Sequence, residues 1–325
     1  MKRALITGGS GFIGSHLARR LLDADYAVDL VDNFSRGRRD GDLETLLEAP
    51  GVRLLERDLL QPEALSQEGE DYDLIVHLAA IVGVANVLNA PYRVLEDNVL
   101  LLLRVLEFAR RQRALSRVVF TSTSEVYAGS LGLSMLPLPT PETAPLALPR
   151  LDEPRTSYLL SKLYGEALCL QSGLPVTVVR PHNVYGPRMG LAHVIPELLQ
   201  RAHETPAGGT LEVFSVEHRR TFCYVDDAVE MIARAAESSR CAGEVLNVGR
   251  EAPEVRIGDV AQTVRDTVGK PLEIRALPPT PGSPERRCPD MSKTSELTGH
   301  AAGVGLEDGI RLTYAWYADR LFATA

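Results

Sequence analysis

Residues 2–33, KRALITGGSGFIGSHLARRLLDADYAVDLVDN, decide the fold. They read as strand, glycine turn, helix and second strand. RALIT (3–7) and YAVDLVD (26–32) are short apolar runs. Between them FIGSHLARRLL (12–22) sets Phe12, Ile13, Leu17 and Leu21 at helical spacing. Gly8, Gly9, Gly11 and Gly14 crowd the turn. Glycines at such a turn let backbone come close to a pyrophosphate. The helix that opens at Phe12 and Ile13 then offers free N–H groups and partial positive charge to the anion. Asp32 ends the second strand about twenty residues on, where a carboxylate accepts from a ribose diol and repels a 2′-phosphate. The unit predicts a dinucleotide turn that favours NAD over NADP, with Gly8, Gly11, Phe12, Ile13, Gly14, Asp32 and Asn33 against the cofactor. Arg36 is close enough in sequence to soften that preference.

Outward from this unit, the whole chain sets bounds. Its 325 residues, 45% of them apolar, suit one large α/β unit or two unequal domains. A net charge of -8 argues against nucleic acid or an anionic membrane as main partner, yet leaves room for a small anion held by local arginines. No apolar run reaches the roughly 18–20 residues of a membrane span. The N-terminus runs straight into a strand without a signal peptide, and Cys169, Cys223, Cys241 and Cys288 form no CxxC pair. A cytoplasmic protein without a zinc site is the expectation.

Further strands are expected in VRLLERD (52–58), YDLIVHLAA (72–80), RVVFTSTS (117–124) and PVTVVRPH (175–182), with the clearest helices at 94–111 and 157–170. Strand–helix alternation with continuously apolar strands predicts an α/β doubly wound parallel sheet over residues 1–180. EVLNVG, within 243–249, reads as a strand that returns to this sheet. Residues 181–325 read as a smaller mixed α/β domain for the substrate. A proline-rich stretch, 128–156, is too long for a plain connection, and such loops are commonly functional.

Six motifs stand in a fixed order: TGGSGFIGSHL (7–17), DL (58–59), HLAA (77–80), TSTSEVY (121–127), YLLSK (158–162) and RPHNVYGPRM (180–189). The set resembles the extended short-chain dehydrogenase/reductase family, Rossmann enzymes that modify nucleotide sugars, from residue 2 to about residue 320. The resemblance implies that Asp58 and Leu59 flank the adenine. It implies that Leu78, Ala79, Ala80 and Ser122 line the cofactor cleft, where Tyr158 and Lys162 also touch the cofactor. Thr123 matches the family's catalytic Ser/Thr. Asn183 matches a diphosphate contact, and Arg220 in RRTFCYVDD an arginine that pairs with phosphate. Arg287 in RRCPD resembles an arginine near the sugar in glucuronate decarboxylases. Arg188 in GPRM is a further substrate candidate. By the same resemblance the helices at 94–111 and 157–170 pair across a two-fold axis into a homodimer; otherwise they simply cover the sheet.

Tyr158 and Lys162, four apart on a helix, share one face. A phenol near pKa 10 is a poor base at neutral pH. A neighbouring ammonium and the nicotinamide cation are expected to move it toward working pH, so that Tyr158 takes a proton from a sugar hydroxyl. The Thr123 hydroxyl would hold the same sugar oxygen. Ser122 and Ser124 are expected to bond their own backbone. Glu125 is the informative position. TSEVY is similar to decarboxylases of nucleotide-linked glucuronic acid and to some 4,6-dehydratases. Glu125 acts there as acid/base or orients the sugar, unless it only caps a turn. His182 replaces a more usual aromatic or aliphatic residue, and either packs or touches the sugar. The reading is an NAD-dependent enzyme that oxidises a nucleotide sugar at C4. Decarboxylation of a UDP-glucuronate-like substrate is favoured, then 4-epimerisation, then 4,6-dehydration. A catalytically silent NAD-binding regulator is the distant alternative, because Tyr158, Lys162 and Thr123 are all present.

Overall fold

Alternate residues of the central strands feed two separate cores. Ala4 and Ile6 join one and Leu5 the other; Leu74 and Val76 join the first and Ile75 the second. Such strands are covered on both faces, which is why they read as continuous apolar runs. A computed structural model of the chain describes residues 1–133, 135–280 and 283–323. Its main sheet holds β1 (Lys2–Thr7), β2 (Tyr26–Asp32), β3 (Val52–Glu56), β4 (Leu74–His77), β5 (Arg117–Thr121) and β6 (Val176–Pro181), and a seventh strand at Val245–Val248. The order is seventh, β6, β5, β4, β1, β2, β3, all parallel. The order reverses between β1 and β4. Ligands of open α/β sheets bind outside the carboxyl ends of the strands at such a switch point. The glycine turn after β1, residues 78–80 after β4, and residues 122–125 after β5 all lie at those ends.

The boundaries shift in physically readable ways. The helix expected at 94–111 is Pro91–Arg110, opened by proline at its first turn, where a missing N–H costs nothing. The strand expected through residue 124 stops at Thr121, because Thr123 caps a tight turn at Ser124–Tyr127. A short helix, Ala128–Gly132, opens the proline-rich stretch.

After β6 the chain builds helices Val194–Glu204, Val225–Glu237, Ile257–Val268 and Leu306–Tyr317 around small sheets. In one of these, Arg219–Arg220 lies between Val255–Arg256 and Arg286–Arg287. The seventh strand rejoins the main sheet beside β6. Among the described residues no helix is long and apolar enough to cross a membrane, and no group of three or more His, Cys, Asp or Glu could hold a metal ion.

Candidate active site

The turn after β1 is shaped by two glycines that admit no side chain. Gly8 has φ +69°, and a Cβ there would stand 2.9 Å from the Ala79 nitrogen. A Cβ on Gly14 would stand 2.4 Å from the Gly8 oxygen and 2.8 Å from Gly9 Cα. Gly8 thus lets the segment after β4 approach, and Gly14 lets the helix Phe12–Leu22 pack onto the turn. Asp32 accepts from Ser10 N at 3.1 Å through one oxygen and from Phe34 N at 2.9 Å through the other. Each oxygen keeps a lone pair for a ribose hydroxyl. The Ser10 hydroxyl is buried without a partner among the described residues. A cradle that a Cβ would fill, with an unspent polar group beside it, fits the diphosphate of a dinucleotide. Phe12 packs edge-on against His16, and Ile13 is half-buried beside it. Asn33 is exposed and caps Ser35 N; Asp58 caps Leu60 N, while Leu59 is buried in the second core.

Tyr158 and Lys162 share the helix Thr156–Leu170. The Lys162 ammonium donates to the Thr121 carbonyl at 2.8 Å and lies 5.9 Å from the Tyr158 ring centre. It is buried, and burial pushes its pKa down to about 8. Burial pushes the Tyr158 phenol the other way, up to about 12, against the opposing hydrogen bond with Thr123. The charges it feels are those of Glu125, which raises it, and Arg36, which lowers it. Of the two cations expected to lower the phenol, Lys162 does not do so by itself in the NAD-free protein. The ammonium is turned onto a carbonyl, and desolvation outweighs it.

Thr123 also accepts from Glu125 N at 3.2 Å, so the capping expected of its neighbours falls to Thr123 itself. Ser122 instead donates to Glu166 at 2.5 Å, and Ser124 accepts from Arg287 at 3.4 Å. Behind Lys162, the His77 Nδ1 lies in hydrogen-bond contact with the Thr7 hydroxyl at 2.8 Å, and burial pushes its pKa down to about 3. His77 is therefore neutral and adds no second cation beside Lys162.

Glu125 meets Arg287 at 2.7 Å, across 162 residues of chain. The turn capped by Thr123 presents the carboxylate, and the parallel pairing of Arg286–Arg287 with Arg219–Arg220 presents the guanidinium. That pairing sets Arg287 directly beside Arg220. Arg220 donates to the carbonyls of Arg219, Pro284 and Glu285 and to the Ser283 hydroxyl. Burial, then the charge of Arg287, pushes its pKa down to about 10. Arg287 has the Glu125 carboxylate, while Arg220 is bonded to carbonyls and a hydroxyl, which leaves positive charge for an anion. Asn183, at φ +42°, donates to the Thr221 carbonyl at 2.9 Å. Asn183 and Arg220 line a cleft of about 200 Å³ with Phe214, Phe222 and His218.

Arg188 lies elsewhere. It donates to Asp40 at 2.9 Å, to the Ser10 carbonyl at 3.3 Å and to the Arg38 carbonyl at 3.2 Å. It fastens the 33–40 loop to the glycine turn, on the cofactor side. His182 packs: its Nε2 is 3.0 Å from Asn247, its ring tilts toward Tyr127, and its Nδ1 has no partner among the described residues. Sequence reasoning missed Asn98 and the Glu166–Arg180 pair. Asn98 accepts from Ile81 N at 2.7 Å and donates to the Ser161 hydroxyl at 3.2 Å, tying the loop after β4 to the helix of Tyr158. Its only sequence signal is a polar residue inside the apolar stripe of a helix.

A family model described as the NAD dependent epimerase/dehydratase family matches residues 4–249. A UDP-N-acetyl-alpha-D-glucosaminuronate decarboxylase of Bacillus cytotoxicus is 33% identical, over 98% of this chain and 98% of its own length. UDP-glucuronic acid decarboxylase 6 of Arabidopsis thaliana is 31% identical, over 95% of this chain and 87% of its own. Among solved structures, a mutant UDP-glucuronic acid 4-epimerase from Bacillus cereus, in complex with UDP-4-deoxy-4-fluoro-glucuronic acid and NAD, is 27% identical. It superposes with a TM-score of 0.84 over 98% of this chain and 99% of its own. The family match runs from the first strand through the strand that rejoins the sheet, well over half the molecule: this chain belongs to the NAD dependent epimerase/dehydratase family, and NAD is its cofactor.

Proposed function

We propose that this chain decarboxylates a UDP-linked uronic acid, of the UDP-glucuronate type, through transient oxidation at C4. The observation that carries the reading is the Glu125–Arg287 contact at 2.7 Å beside Thr123 and Tyr158. The likeness to decarboxylases of two nucleotide uronic acids supports it. The NAD-binding residues are those of the glycine turn and Asp32, with Asn33, Asp58 and Leu59 toward the adenine and Leu78, Ala79, Ala80 and Ser122 along the cleft. Arg188 steadies that side. Asn183 and Arg220 take the diphosphate, and the cleft beyond them takes the base. Residues 1–180 with the returning strand hold the cofactor, and 181–325 hold the sugar nucleotide.

NAD, when bound, accepts the C4 hydride and later returns it. Thr123 holds the C4 hydroxyl, and the Tyr158 oxygen takes its proton as C4 becomes a ketone. Lys162 keeps a positive charge behind that phenol. The ketone now stands β to the C6 carboxylate, which Arg287 orients. The C5–C6 bond breaks, CO2 leaves, and its electron pair spreads onto the C4 oxygen, where Tyr158 and Thr123 donate hydrogen bonds. Glu125, half exposed, holds the water that returns a proton to C5. C4 epimerisation is the second reading, favoured by the likeness to the 4-epimerase from Bacillus cereus.

Purified protein incubated with a panel of nucleotide sugars and read by mass spectrometry decides between them. Loss of the mass of CO2 from a uronic acid is the expected result. Unchanged mass with a shifted retention time establishes epimerisation instead, and loss of water establishes dehydration. The homodimer belongs to the same proposal. Tyr92, Leu103, Tyr164 and Leu170 are exposed on the helices Pro91–Arg110 and Thr156–Leu170, a surface suited to a second copy. Light scattering should return twice the chain mass.

A further inference from the structure

Asn247 is fully buried, in the middle of the returning strand, and every one of its polar groups is spent. Its backbone N–H donates to the Glu142 carboxylate at 2.7 Å, and its carbonyl accepts from the Thr294 hydroxyl at 2.6 Å. The side-chain nitrogen donates to the Thr140 carbonyl at 3.0 Å and the Asp290 carbonyl at 3.1 Å. Both partners are acceptors, so the orientation of the amide is fixed. Its oxygen accepts from the Tyr127 hydroxyl and the His182 Nε2, each at 3.0 Å. Tyr127 in turn accepts from Arg180, which stands opposite Asn247 across the strand pair.

These partners lie on the segments that carry the Glu125–Arg287 pair. Tyr127 is two residues beyond Glu125, in the same turn. Asp290 is three residues beyond Arg287. Thr140 belongs to the proline-rich stretch, and it is itself bonded to that second segment: Thr140 N donates to the Cys288 carbonyl, and Asp290 N to the Thr140 carbonyl. One amide therefore joins the turn that bears Glu125 to the strand that bears Arg287. Both segments reach the site from outside the sheet, and the 2.7 Å contact between the two charged groups depends on their relative placement.

We infer that Asn247 is a positioning residue, which sets Arg287 against Glu125 by bonding both of their segments at once. The inference rests on the role given to that pair under the proposed function. A misplacement of about 1 Å at reacting groups is worth up to ~100-fold in rate. The Tyr158–Lys162 helix contributes no direct bond to Asn247 and is reached through Arg180, which bonds Tyr127 and Glu166, so the larger effect is expected at the decarboxylation end of the site.

Asn247→Asp tests this with a change of one atom. The oxygen that receives Tyr127 and His182 is kept, while an acceptor replaces the donor facing Thr140 and Asp290. CO2 release from the uronic acid should slow about tenfold or more, while NAD affinity, read by calorimetry, stays within about twofold. The deciding measurement is a double-mutant cycle with Arg287→Ala. If Asn247 acts through Arg287, the double variant is no slower than Arg287→Ala alone. Additive losses, or a near-native rate for Asn247→Asp, overturn the inference. A near-native rate for Arg287→Ala overturns the role of the pair itself, and the inference with it. Tyr127→Phe, which removes the hydroxyl that bonds the Glu125 turn to Asn247 and accepts from Arg180, runs the same cycle against Glu125→Gln should Asn247→Asp not fold. Non-additivity is expected there too, and additive losses again overturn the inference.

Discussion

Lys162 and Arg180 are buried to almost the same degree, 4% and 3% exposed, yet they are treated oppositely. Arg180 meets Glu166 through two bonds, at 2.9 and 2.7 Å, and reaches the Tyr127 hydroxyl at 2.7 Å. Burial pulls its pKa down, but these partners outweigh burial, and it ends raised. Lys162 has a carbonyl and two aromatic rings, and burial wins, bringing its pKa to about 8. A buried charge with a carboxylate partner is a structural tie. A buried charge held only by a carbonyl is poised to change its protonation or to serve a bound anion. Ser122, donating to Glu166, stands one residue from Thr123, so the tie steadies the strand end that leads into the turn bearing Glu125.

The largest break in this contrast comes from Glu166→Ala. It leaves Arg180 buried and uncompensated and should cost about 3–5 kcal/mol, read by urea unfolding. Next comes the Lys162 titration. Its folded pKa, about 8, lies below the ordinary 10.5. Below the lower value both states hold the proton, and the folded state bears the full cost of a buried charge. Between the two values the unfolded chain holds a proton that the folded one has lost, so this group's contribution rises with pH. The rise amounts to at most about 3 kcal/mol. Comparing wild type with Lys162→Met across that window isolates it, and parallel curves would show that Lys162 titrates normally.

A smaller effect in energy, though large in rate, is expected from Tyr158→Phe. Turnover should fall roughly 100-fold or more with NAD still bound, as for loss of a general base. Difference spectra between this variant and wild type should also place the phenol near 12 in the NAD-free protein. The mildest change is Arg180→Lys, which keeps the charge but loses the two-pronged geometry, at about 1–2 kcal/mol. A loss as large as that of Glu166→Ala would mean that shape, not charge, holds this tie.

Much of the NAD side was legible from residues 2–33. A turn, the helix after it and an acidic strand end repeat at spacings set by the backbone itself. Tyr158 and Lys162 were equally legible, because four residues on a helix make neighbours whatever surrounds them. Arg188 was not. GPRM pointed to the substrate, but the left-handed backbone at Arg188, φ +67°, turns the side chain back to Asp40 and Ser10. Asn98 and Asn247 were invisible for a related reason: an asparagine among apolar residues shows that a polar group is buried, but not which carbonyls it meets.

The sequence by itself determined the parallel sheet, the glycine turn and the placing of Tyr158 and Lys162 on one helix face, since each follows from short-range periodicity. Only the tertiary structure decided that Glu125 faces Arg287, that Arg220 stands beside Arg287, and that burial raises the Tyr158 phenol in the NAD-free protein. Contacts across 162 residues depend on the register in which distant strands pair, and a pKa depends on every neighbour that excludes water. Neither quantity is carried by any single stretch of chain.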